Sequence, residues 1–145
     1  SDAKGEFTLH QMAAGKNSFY VQHPDYASAI FFDQEFPNPE GIVVKLGKGG
    51  IVAGTAPPET QVAIEFAEHL YDKEPPGERP YFELILMMKT DSQGNFRFER
   101  LPPGKYYLAI ANDEHPRLEV ERIDPTRIIH LIEVREGEIT SRNLS

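Results

Sequence analysis

Apolar and polar residues alternate along most of the chain in short runs separated by turn-forming residues. In "VAIEF", Val62, Ile64 and Phe66 fall on one face and Ala63 and Glu65 on the other, the two-residue period of a half-buried strand. "YFELILMMK" offers Phe82, Leu84, Leu86 and Met88 to one side, while Ile85 and Met87 make the other side apolar too. That pattern predicts a central strand covered on both faces. "NFRFE" directs Phe96 and Phe98 inward, and "YYLAIA" sets Leu108 and Ile110 opposite Tyr107 and Ala109. "RIIHLIEV" and "EITSRNL" complete the strand set. The stretch from Thr60 through "EFAEHLYDKE" also fits a helix; a strand as far as Phe66 is the preferred reading. In "DSQG", Asp91 is placed to bond a backbone amide two residues on, and Gly94 to take a positive φ. In "LPPG", Leu101 is placed to plug one end of a sandwich, with Pro102 and Pro103 stiffening the link before Gly104 turns the chain.

The pattern repeats. Asp2, Gly5, Phe7, Met12, Gly15, Lys16, Phe19 and Val21 align without a gap on Asp91, Gly94, Phe96, Leu101, Gly104, Lys105, Leu108 and Ile110, an offset of 89. After the next loop the match resumes at offset 88, with "IVVKLGKGGIV" (42–52) over "HLIEVREGEIT" (130–140). A period this long predicts tandem units rather than a solenoid. Residues 1–48 read as the C-terminal half of one unit, so that the chain opens within the motif, and 49–145 as a complete unit. Four strands are expected in the first part: "GEFTL", "SFYVQ", "AIFF" and "GIVVKL". Their apolar residues, among them Phe7, Leu9, Phe19, Phe31, Val44 and Leu46, need cover. The cover is either residues 49–145 or a second chain, as a homodimer through residues 1–48; the dimer is the preferred expectation.

Charge narrows the partners. The 145 residues hold 15 basic and 23 acidic side chains, a net charge of −8, and no basic cluster. This argues against nucleic acid and against contact with an anionic membrane. The 39% hydrophobic content suits a folded chain, and the absence of cysteine leaves no disulfide or thiolate chemistry. No apolar run reaches the length of a membrane-spanning helix.

The hairpin "TDSQGNFRFERLPPGKYYLAIA" (90–111), with the opening strand "GGIVAGTA" (50–56 preceded by Gly49), resembles the carboxypeptidase regulatory-like domain. That family is a transthyretin-like (prealbumin-like), Ig-like antiparallel β-sandwich of about seven strands. The resemblance covers residues 49–145 fully and 1–48 as a truncated copy. It implies an all-β, non-catalytic accessory or structural module of a larger exported bacterial protein, extracytoplasmic, whose partners are other domains of the same polypeptide. The alternative it leaves open is a module that binds a glycan or a peptide through the end loops of the sandwich. Such a fold does not by itself fix a function.

The chemistry-bearing residues are sparse. His10, His23, His69, His115 and His130 show no His-x-His, His-x-x-x-His or His-Glu-x-x-His spacing, so no metal set is read. His130, between apolar neighbours, is expected to be buried and hydrogen-bonded. His23-Pro24 and His115-Pro116 both follow the second strand of the repeated hairpin and are expected to emerge at the sandwich ends. With Tyr26 and Tyr107 they form the candidate ligand-binding set, against the plainer reading of a His-Pro turn and of core aromatics. The enzymes that share or neighbour the fold are not matched. The chain ends "SRNLS" where the hydroxyisourate hydrolases end Tyr-Arg-Gly-Ser, and the intradiol dioxygenase iron spacing is missing. No catalytic residue, cofactor or metal is therefore assigned. An isopeptide bond from Lys45 or Lys89 to Asn143 beside Glu83 is disfavoured, and one carboxylate per loop, Asp91 or Asp2, is poor for calcium. An Asx-turn is expected at Asp91.

Overall fold

The computed structural model describes residues 6–10, 12–67, 84–111 and 128–145. Among the described residues nine strands follow in order: β1 (Gly15–His23), β2 (Tyr26–Phe36), β3 (Gly50–Thr55), β4 (Gln61–Phe66), β5 (Ile85–Lys89), β6 (Asn95–Leu101), β7 (Gly104–Ile110), β8 (His130–Val134) and β9 (Ile139–Asn143). Among the described residues there is no helix. β1 and β2 form a hairpin; β6-β3-β9 and β5-β4-β7-β8 are the two layers of a seven-stranded sandwich. The alternating positions meet between the layers. Val52, Val62, Ile64, Phe96, Phe98, Leu101, Tyr106, Leu108, Ile132 and Val134 are all buried in one cluster, as burial of one face per strand requires. The LPPG turn is tied to this core. The Tyr106 hydroxyl donates to the Pro102 carbonyl at 2.6 Å, and the ring meets Phe66 edge-to-face at 5.1 Å. Burial without that acceptor would leave an unmet donor.

Three expectations need correction. First, among the described residues β5 is an edge strand, and Met87 stays half exposed at 51%. The strand covered on both faces is β4, where Val62, Ala63 and Ile64 are all buried; Ala63 lies beside Ala109 of β7 on the outer face. Alternation records which faces are apolar, whereas the order of strands is set by pairing. Second, residues 6–10 and 42–46 carry strand patterns but join no ladder; only "SFYVQ" and "AIFF" became strands, in β1 and β2. Third, the sandwich is not wholly antiparallel, because β3 and β9 run parallel.

That parallel pair sets side by side residues that the sequence also aligns. Ile51 faces Ile139 and Thr55 faces Asn143, so each rung of the ladder joins residues 88 apart, the offset found in the sequence. Gly49 and Gly137 take φ of 72° and 73°, and Gly15 and Gly104 are both at positive φ.

The β1–β2 hairpin touches one end of the sandwich, through Pro24 on Arg100 and Ala27 beside Gly49. Ala27 is buried and its amide donates to Gly47 O at 2.9 Å. A Cβ at Gly49 would lie 2.7 Å from the Ala27 methyl, so the two backbones approach only because Gly49 has no side chain. The Glu136 carboxylate accepts from the Gly49 amide through both oxygens, at 3.1 and 3.0 Å.

Candidate functional site

Two of the four candidate residues come together at the tip of the β1–β2 hairpin. His23 and Tyr26 are paired across it, with Pro24 and Asp25 as the loop. Proline fixes φ at the first loop position and so limits the tip's freedom. The Asp25 amide donates to His23 Nδ1 at 3.1 Å, which leaves the ring proton of neutral His23 on Nε2. The two rings lie 5.0 Å apart, tilted by 56°, and Tyr26 is 44% exposed. A ring pair held in the open offers apolar faces and polar edges together.

The tip is anchored from the sandwich by Arg100. β6 carries two residues, Glu99 and Arg100, against the single Ile51 of β3, a bulge between the Gly50–Leu101 and Val52–Phe98 pairs. Arg100 sits there at φ 55°, a conformation that costs a non-glycine residue free energy. Bulges re-aim side chains, and the Arg100 guanidinium donates to the Pro24 carbonyl. Nothing in the local sequence marks this role. Beside the tip a cleft of about 510 Å³ opens between hairpin and sandwich. Ala29, Leu46, Phe66 and Pro103 give it apolar walls, and Lys45 and Glu136 charge its rim.

The other candidates lie apart from this pair. Tyr107 is half-buried on the outer face of the four-stranded sheet, packed on Ala63 and Ala109. His115, with the "NDEHPR" loop, lies outside the described residues, as do His69, Tyr81, Phe82, Glu83 and Asp2. His130 is half-buried rather than buried; it opens β8, which among the described residues has a strand neighbour on one side only. Among the described residues no group of three His, Cys, Asp or Glu gathers as a metal set. Lys89 pairs with Glu59 at 2.5 Å, and Asn143 Oδ1 accepts from the Ser145 amide at 2.9 Å.

No protein-family model and no curated protein matches the chain. Among solved structures it is similar to that of a "putative carbohydrate binding protein" from Pseudomonas aeruginosa. The identity is 18%, over 68% of this chain and 88% of that one, with a TM-score of 0.40.

The Asx-turn expected at Asp91 is present. Its Oδ1 accepts from the amides of Gln93 at 2.9 Å and Asn95 at 2.8 Å, and Oδ2 from Asn95 Nδ2 at 2.9 Å. The Asn95 side chain first, then the Asn95 backbone amide, hold the carboxyl below its ordinary value. A carboxyl depressed in the folded state adds stability above its unfolded pKa and loses it as pH falls through the folded value. Asp91→Asn is therefore expected to melt below the wild type at pH 6, with the gap narrowing as pH falls through the lowered pKa of the Asp91 carboxyl. Thermal melts across pH 2–7 check this, and a gap that stays constant would show that the charge plays no part.

Proposed function

We propose that the chain is a non-catalytic binding module that takes carbohydrate at the hairpin end of the sandwich. The observation that carries this reading is the exposed His23–Tyr26 ring pair, 5.0 Å apart, on a tip anchored through Pro24 by Arg100. Ring faces cover the apolar side of a sugar, while Nε2 of His23 and the Tyr26 hydroxyl meet its hydroxyls. Anchoring lowers the entropy cost of holding them in place. The adjoining cleft supplies a concave neighbour, as ligand sites between packed units commonly have. In keeping with the resemblance of the hairpin motif, we place the module as an accessory unit, 49–145 with a partial unit before it, in a larger exported bacterial protein.

A glycan array probed with the 145-residue chain tests the reading, followed by titration of the best glycan into Tyr26→Ala. Loss of one stacking ring is expected to weaken binding about tenfold with the melting temperature unchanged. A blank array would favour a second reading, a spacer. The fixed joint of Arg100 on Pro24 and Ala27 on Gly49 supports that one, because such a joint holds successive units at a set angle.

A further inference from the structure

Residues 42–46, "IVVKL", have the burial of a strand without the pairing of one. Ile42, Val44 and Leu46 are half-buried, while Lys45 is exposed and Val43 is 85% exposed. The segment is pinned on both sides, by Gly41 N to Asn38 O at 3.2 Å and by Ala27 N to Gly47 O at 2.9 Å. Between those points no strand is assigned, and no turn or loop backbone hydrogen bond among the described residues involves 42–46. Backbone donors and acceptors in a folded chain are satisfied by water or by a partner.

The repeat shows which partner is lacking. The counterpart of 42–46 is β8, which pairs with β7 through Lys105–Glu133, Tyr107–Leu131 and Leu108–His130. Carried back by the two offsets, that ladder would lay 42–46 along β1 with Lys16 opposite Lys45. The complete unit has a lysine against a glutamate at this rung; here two like charges would meet, and directly opposed like charges destabilise a pair. β1 instead takes β2, which brings Glu35 opposite Lys16. Lys45 is left outside every ion pair among the described residues.

We infer that residues 42–46 accept an extended segment of a partner protein by strand addition. The incoming strand runs antiparallel, as β7 does on β8, and places an acidic residue opposite Lys45 and an apolar one opposite Val43. Its sequence therefore reads acid, any residue, apolar. Main-chain bonds supply affinity in this mode, and alternate side chains supply specificity. Lys45 and Leu46 also line the cleft beside the hairpin tip, but the inference rests on the backbone edge of 42–46 and uses neither of the tip rings.

The test uses the full chain and two synthetic nonapeptides of alternating threonine and valine. One carries Glu-Thr-Val at its centre and the other Lys-Thr-Val. The glutamate peptide is expected to slow hydrogen exchange at alternate amides of 42–46 and to bind about fivefold more tightly than its lysine twin. Lys45→Gln, an exposed change that leaves the fold intact by circular dichroism, is expected to erase that preference. Equal binding of both peptides to the wild type would overturn the inference, as would unchanged exchange at 42–46. Protection that grows with chain concentration in the absence of peptide would also overturn it, by making a second copy the occupant.

Discussion

Truncation of Phe96 to alanine is expected to lower the free energy of unfolding by about 3–5 kcal/mol, the range for a buried aromatic ring. The ring is 3% exposed, and it neighbours Phe98 with centroids 6.1 Å apart. Directly opposite it on β3 stands Gly54, which has no side chain to swing into the space. The cavity therefore stays open, and cavities that cannot collapse cost most. Urea unfolding by circular dichroism measures the change, with the midpoint moving and the slope preserved if the transition is two-state. A midpoint within error of the wild type would place the ring outside the core and refute the strand register.

Gly54→Ala is expected to cost about 3 kcal/mol or more, at or beyond the upper end for overpacking, for the converse reason. A Cβ at this position would sit 1.8 Å from the Arg142 carbonyl oxygen and 2.8 Å from the Phe96 ring. The first of these is backbone, so β9 has to move as a strand rather than a side chain turning aside. Arg142 is the ladder partner of Gly54, and the displacement falls on the parallel pair. Hydrogen exchange locates the damage: amides of Ile139–Asn143 lose protection while β4 and β7 keep theirs. Uniform loss across both sheets would mean that the strain spreads instead through Phe96.

Much of this fold is written in alternation. Phe96, Phe98, Leu101 and Leu108 were all legible as core positions, and all are buried, because a two-residue period needs only the local chain. Neighbour choice is a different kind of information. "ILMM" has apolar residues on both faces, yet it lies at an edge; its neighbours are decided by the whole sheet. Residues 6–10 and 42–46 carry strand patterns for the same reason and join no ladder. The site was half legible. His23 and Tyr26 are brought together by a hairpin that the sequence implies, whereas Arg100 acts through a positive φ that no residue type announces.

The in-register parallel pair has a mechanical consequence. Among the described strands of the sandwich β3 comes first in the chain and β9 last, and they lie side by side pointing the same way. Tension applied at the start of β3 and the end of β9 pulls the two strands along their own axes in opposite directions. The load then falls on all the rungs from Ile51–Ile139 to Thr55–Asn143 at once, in shear, instead of opening them one after another as a zip. A unit wired in this way resists stretching with every bond of its clamp together, and Gly54 lies within that clamp.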